Sequence, residues 1–187
     1  MNTFWLITII VLVGERMAKL FLIRHFFGQI AIAPHTASPQ TVSILQPILS
    51  GDPTLWQCLR ENLKHHSQCP REFVWLVDDN DQAALDGCRQ LITEHPDIDI
   101  KLHVMAPPPD GVNPKMFKLI AGIEIARGEL IAVLDDDTVL PDAAFEQCLP
   151  YLASPQVGLV FGLPYYVSFA NLWSALVACF VNSNSLL

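Results

Sequence analysis

The chain has 187 residues, a formal net charge of −8 and a hydrophobic fraction of 51%. That length supports one domain with a full core, and the mean hydropathy of +0.34 adds apolar surface beyond a typical soluble domain. The acidic balance excludes a nucleic-acid binder, which needs a basic face. Five dispersed cysteines without a CxxC pair exclude a zinc site or a disulfide framework and fit a reducing compartment.

The N-terminal stretch Phe4–Gly14 is apolar but shorter than the ~20 residues of a bilayer span. Apolar character resumes at Leu20–Ile23 and Phe26–Phe27, interrupted by Glu15, Arg16, Lys19 and Arg24. No cleaved signal peptide fits this pattern. Residues 1–32 read as a membrane-associated helix, either an incomplete signal anchor or a helix lying along the surface. A buried core helix is the alternative. Arg16, Lys19, Arg24 and His25 lie on its C-terminal side, so the positive-inside rule puts the rest of the chain in the cytoplasm.

Residues 33–40 carry Pro34, Ser38 and Pro39 and read as a linker. From Thr41 strands and helices alternate. Val42–Leu45 is a first strand. Asp52–Pro53 starts a helix that runs to about Lys64. Phe73–Val77 is a second strand, Gln82–Glu94 a second helix, and Ile98–Val104 a third strand near an edge. Pro107–Gly111 is a stiff loop. Pro114–Ala126 is a third helix, stopped near Gly128. Leu130–Leu134 is a fourth strand, Pro141–Leu149 a helix stopped by Pro150, and Val157–Phe161 a fifth strand. This order predicts an α/β domain with a mostly parallel, doubly wound sheet and right-handed crossovers. From Val157 onward there is no charged residue. Phe169, Leu172, Trp173, Leu176, Val177 and Phe180 recur at helical spacing, so residues 169–187 form an apolar helix that is buried all round or faces lipid.

Asp135, Asp136 and Asp137 follow the fourth strand, at the end where open α/β sheets bind ligands. Asp135 and Asp137 are two apart and can both turn toward one hard cation, which prefers oxygen ligands. A solvated acidic turn is the plain alternative. Asp78, Asp79 and Asp81 follow the second strand in the same way, and two such clusters on one parallel sheet can share a crevice. One cluster can hydrogen-bond a sugar or base, and the other can hold a cation against phosphates. A turn that caps the next helix is the plain alternative for the Asp78 cluster. Between them, Gly111-Val112-Asn113-Pro114-Lys115 leads into a helix N-terminus, which favours anions. Lys115 can add a charge toward phosphate, or be an ordinary solvated lysine.

Several stretches in this order resemble the family 2 type of GT-A glycosyltransferases: Val42–Pro47, Gly51-Asp52-Pro53, Val77–Asp81, Gly111–Lys115, Ala126–Ile131, Leu134–Asp137 and Val157–Tyr165. The pattern is most similar to ceramide glucosyltransferases and their bacterial relatives, including hopanoid-associated transferases. The resemblance covers about Thr41–Tyr165. It implies a Rossmann-like GT-A domain over residues 41–168 and inverting transfer of a hexose from a UDP-sugar to a lipid hydroxyl, ceramide or another membrane lipid, at a membrane. Asp79 matches the early aspartate that contacts the donor nucleotide, and Asp81 and Lys115 are expected to bind the nucleotide with it. Asp135 and Asp137 match the D-x-D pair that binds Mg²⁺ or Mn²⁺ and the diphosphate. The family takes its catalytic base from a later aspartate and holds the donor with a Q/R-x-x-R-W motif. Neither is present, since no aspartate follows Asp142. The chain therefore reads as the donor-binding half of such an enzyme, with the base expected beyond Leu187. The alternatives are a non-catalytic nucleotide-sugar-binding module and a phosphohydrolase with an aspartyl nucleophile in Leu134–Thr138.

Overall fold

The computed structural model describes residues 3–29, 40–64, 67–169 and 171–185. The chain divides into two compact units, one of residues 35–154 and one of residues 1–34 with 155–187. The larger unit contains strands β1 (Val42–Ile48), β2 (Arg71–Asp78), β3 (Ile100–Met105) and β4 (Leu130–Val133). The sheet order is β3-β2-β1-β4, with every neighbouring pair parallel. β1 to β3 step outward in one direction, and β4 returns to the far side of β1. The reversal between β1 and β4 is a topological switch point, where doubly wound sheets open a crevice at their carboxyl ends.

Helices α2 (Leu55–Lys64), α3 (Gln82–Glu94) and α5 (Ala144–Leu152) cover one face of the sheet. Leu55, Leu59 and Leu63 of α2 and Leu85, Cys88 and Leu91 of α3 pack there against Ile44, Ile48, Phe73, Trp75 and Val77. Helix α4 (Pro114–Ile125) covers the other face, where Leu119 meets Leu45, Val74 and Leu76. The central strands are buried on both faces, while β3 and β4 alternate between half-buried and exposed positions. That is the edge character expected of the third strand, and the fourth shares it.

β1 runs three residues beyond its expected end, through Pro47. Thr41 and Leu45 accept from Leu130 N and Leu134 N with their carbonyls, so the odd positions of β1 face β4. Pro47 is the next such position and lies past the last β1–β4 pair, Leu45↔Val133. Its missing N–H is therefore not required by that neighbour.

The foot of the sheet is bolted by one buried carboxylate. Glu72 of β2 accepts from Ser43 Oγ, from Arg127 N at 2.6 Å and from Arg127 Nε at 2.7 Å. Ser43 Oγ in turn accepts from Gly128 N at 2.8 Å. A Cβ on Gly128 would stand 2.5 Å from Ser43 N, so only glycine lets the chain enter β4 there. The Ala126-Arg127-Gly128-Glu129 stretch is thus a structural fastening at the end of the sheet away from the crevice.

Several expectations are corrected. The N-terminal helix forms as α1 (Thr3–Gln29), but among the described residues no helix is long and apolar enough to cross a membrane. Glu15, Arg16, Lys19 and Arg24 divide its apolar stretch, and Lys19 pairs with Glu15 at 2.5 Å. Exposed Phe4, Trp5, Leu6, Ile7, Val11 and Leu12 point around the whole helix rather than along one face. The linker expected at 33–40 lies outside the described residues except for Gln40. No strand forms at Val157–Phe161; residues 155–169 are irregular, with Gly158, Gly162 and Pro164 along them. The helix expected to stop before Pro150 carries it in its last turn instead, where a proline forfeits one helical hydrogen bond without continuing turns to lose. In the smaller unit, helix α6 (Leu172–Ser185) falls within the expected 169–187, and Asn182 clasps the Tyr166 backbone through its Oδ1 at 2.7 Å and its Nδ2 at 3.0 Å.

Candidate functional site

The carboxyl ends of β1, β2 and β4 and the start of α4 enclose a cleft of about 410 Å³. Pro47, Ile48 and Leu49 form one wall, Asp78 the end of β2, Pro114, Lys115 and Lys118 the α4 side, and Asp135–Asp137 the β4 side. The two strand-end acidic positions and the helix start thus converge.

Each group is held by local chemistry. Gly111 has φ 80°, a left-handed conformation that turns the chain into α4. Asn113 caps that helix by accepting from Met116 N at 3.0 Å, and Pro114 occupies its first turn. Lys115 Nζ donates to Asp135 Oδ1 across the cleft. Asp136 turns the other way, and its Oδ2 accepts from Leu49 N at 3.0 Å, bridging the switch point between β4 and β1. Burial pushes the Asp136 carboxyl up and the charges of Asp137 and Asp135 add to this, against the Leu49 hydrogen bond. Asp137 is exposed, with Thr138 Oγ1 donating to it at 3.2 Å. Behind the turn, the buried Asn62 of α2 donates to Thr138 O at 2.8 Å and accepts from Leu140 N at 2.9 Å. Burial raises the Cys58 thiol beneath, against a hydrogen bond with Thr54, and the charges of Asp137, Asp52 and Asp136 raise it further.

Asp78 is 8% exposed. Its Oδ2 meets Lys118 Nζ at 3.0 Å, and Lys118 also donates to Ile48 O at 3.1 Å. Its Oδ1 is buried without a hydrogen-bond partner. A lone buried carboxylate oxygen on a cleft wall is an acceptor ready for an incoming N–H or O–H.

Lys115, Asp135 and Asp137 are therefore brought together at one cleft. Asp79 is exposed beside the cleft and does not line it; its backbone N donates to Met105 O at 2.8 Å. Asp81 is committed to the fold, its Oδ1 capping α3 at Ala84 N, 3.1 Å, and its Oδ2 accepting from Ser50 N at 2.8 Å. Burial raises the Asp81 carboxyl, but these hydrogen bonds outweigh it and hold it below its ordinary value. Lys118 and Asn62 were not singled out from sequence, and Asp78 was named only as a member of its strand-end cluster. Lys118 follows Lys115 by three and shares its helix face, which is the one signal that could have found it.

The donor set is all-oxygen. Among the described residues no three His, Cys, Asp or Glu side chains form a closed metal cage. Two carboxylates, Asp135 and Asp137, open to a cleft suit Mg²⁺ or Mn²⁺, because Mg²⁺ is bound by one or two carboxylates with substrate phosphates and water completing its shell. The residues present fit such a cation.

The model of glycosyl transferase family 21 matches residues 3–186. The chain belongs to glycosyl transferase family 21. This family member is 26% identical over 147 residues to ceramide glucosyltransferase 1 of Caenorhabditis elegans, covering 75% of the chain and 31% of that protein. It is 30% identical over 131 residues to the NDP-glycosyltransferase ltbB of Aspergillus luteorubrus, covering 67% of the chain and 29% of that protein. The chain thus spans about a third of the length of these relatives. Among solved structures, a mannosyltransferase from Pyrobaculum calidifontis in complex with GDP-Man and Mn²⁺ shares the fold, with a TM-score of 0.60 and 20% identity over 80% of this chain and 44% of that one. The GT-A expectation is borne out, and the family 21 assignment removes the phosphohydrolase alternative.

Proposed function

We propose that this family 21 chain is the donor-binding portion of a metal-dependent, inverting glycosyltransferase that moves a hexose from a UDP-sugar to the hydroxyl of a membrane lipid such as ceramide. The observation that carries this reading is the cleft at the β1/β4 switch point, where the Asp135–Asp137 turn faces Lys115 and Lys118. Opposed acidic and basic walls suit a diphosphate bound through a cation. The names of the relatives support a nucleoside diphosphate sugar as donor, and that of the nematode relative supports a lipid acceptor.

In this reading Asp135 and Asp137 hold Mg²⁺ or Mn²⁺. A bound divalent cation supplies Lewis-acid stabilisation to the leaving diphosphate. Lys115 at the start of α4 meets the phosphates, helped by the helix N-terminus. The free Oδ1 of Asp78 accepts from the nucleoside, with Asp79 at the rim. Asp81 acts on the donor indirectly, by holding Ser50 and the start of α3. The carboxylates lining the cleft are then committed to nucleotide or cation, and none remains as base for an acceptor hydroxyl. Residues 1–187 alone therefore bind donor without transferring sugar. Membrane association rests on the exposed apolar surface of α1 and of the charge-free segment from Val157, without a span, and the chain from Thr41 onward faces the cytoplasm.

Calorimetry of UDP with and without Mn²⁺ tests the donor site. Binding should require the cation and be lost in Asp135→Ala and Asp137→Ala, since one charged contact is worth about 1.5–3 kcal/mol. Equal binding in chelator would sink the metal role. Lipid glycosylation from radiolabelled UDP-glucose by residues 1–187 would show that a base lies within the chain. Failure to float with liposomes, or protection of residues 35–154 from protease in sealed inverted vesicles, would refute the membrane assignment or its orientation.

A further inference from the structure

The cleft holds two lysines three residues apart on one helix, and they are bound in opposite ways. Lys118 is buried, with a side chain 4% exposed, and is fixed between Asp78 and Ile48 O. Lys115 is 49% exposed, and among the described residues it pairs with Asp135, itself 51% exposed. A buried pair is costly to separate, whereas an exposed pair is weak and exchangeable. Only one of these two cations is therefore free to move.

The partner of the movable cation matters. Asp136 is tied to Leu49 N through Oδ2, and Asp135 and Asp137 are the exposed carboxylates of the turn. Lys115 occupies Oδ1 of the first of these. An ammonium and a divalent cation on one carboxylate oppose each other, because like charges a few ångströms apart repel. A flexible four-carbon stem, however, lets the ammonium swing to another anion within reach. A diphosphate in the cleft is such an anion.

We propose that Lys115 is an internal competitor of the cation at Asp135, which the diphosphate of the nucleotide draws away, so that cation and nucleotide bind as a coupled pair. This rests on the donor-site reading above and adds a mechanism to it. By linkage, a nucleotide that removes Lys115 from Asp135 raises cation affinity by the same factor that the cation raises nucleotide affinity. Part of the coupling thus comes from the protein, beyond direct contact between cation and phosphate. The same lysine opposes the cation when the nucleotide is absent and supports the complex when it is present.

The test measures Mn²⁺ binding by calorimetry in wild type, Lys115→Met and Lys115→Gln, without nucleotide and at saturating UDP. Both variants keep most of the stem at a half-exposed site and should fold, which circular dichroism checks. Without UDP, both should bind Mn²⁺ about two- to fivefold more tightly than wild type, the range expected for removing an exposed ion pair. At saturating UDP the advantage should disappear, so the ratio of the two affinities falls in the variants. Two results overturn the proposal: no tightening without UDP, or the same tightening in both arms, which is a general charge effect and not exchange. Asp135→Ala and Asp137→Ala in parallel report on the site itself. If these still bind Mn²⁺ and UDP like wild type, the donor-site reading fails; if they lose binding while the Lys115 variants match wild type, only the competition fails.

Discussion

Lys118 Nζ lies 3.0 Å from Asp78 Oδ2 in a pair that is buried on both sides. It joins the α4 layer to the carboxyl ends of β1 and β2, since Lys118 also donates to Ile48 O. Lys118→Met leaves the buried Asp78 carboxylate without its counter-charge. The expected loss is about 3–5 kcal/mol in urea unfolding. Adding Asp78→Asn removes the stranded charge and should restore much of it. If the double variant is as unstable as the single, the pair is not the cause.

Gly128→Ala sets a methyl group 2.5 Å from Ser43 N, and backbone cannot yield there as a side chain end can. Overpacking of this kind costs about 1–3 kcal/mol. The clash is at the foot of β4, away from the cleft. The midpoint of denaturation should fall while UDP and Mn²⁺ affinity of the folded protein stays unchanged. A parallel loss of affinity would show that the foot and the cleft are coupled.

Glu72 makes stability depend on pH. Burial pushes its carboxyl up, but the hydrogen bonds from Ser43 and Arg127 and the guanidinium charge reverse this and leave it below the ordinary 4.5. A depressed folded value means that the stabilisation is present above the unfolded value and is lost as pH falls through the folded one. Tm should therefore decline from about pH 5 downward, and Glu72→Gln should flatten that part of the curve while lowering Tm at pH 7. A Glu72→Gln curve parallel to wild type below pH 5 would assign the acid sensitivity elsewhere.

Asn62 spans the loop behind the acidic turn with both ends of its amide. Asn62→Ala leaves Thr138 O and Leu140 N without these partners, at about 1–3 kcal/mol. Because Asp137 precedes Thr138, Mn²⁺-dependent UDP binding should weaken as well, even at temperatures where the variant is fully folded. Unchanged binding in the folded variant would make Asn62 a stability residue only.

Much of this was legible in the sequence because it is local. Buried strands such as Phe73–Val77 are continuous apolar runs, Asn113-Pro114 is a helix start, and carboxylates after Val77 and Leu134 mark strand ends. What was not legible depends on partners distant in sequence. Lys118 looks solvated until Ile48 and Asp78 arrive from two strands. Asp136 looks like Asp135 until Leu49 claims it. Asp81 resembled a ligand, yet its helix-capping alternative is what the structure displays, because Ser50 and Ala84 use both its oxygens. The strand expected at Val157–Phe161 had the right composition, but a strand exists only through a pairing neighbour. The apolar N-terminus was read from its runs, while the four charges within them decide what it can cross.

Pro47 has one further consequence. Strands recruit each other by exchanging N–H and C=O groups, and an unfinished ladder invites any extended segment to join it. β1 stops pairing with β4 at Leu45, just where a longer neighbour could close the crevice. Proline brings no N–H to that side, so a segment zipping upward from β4 finds no donor at position 47. Pro47 thus withholds one of the donors that such a segment would need to extend the ladder above Leu45.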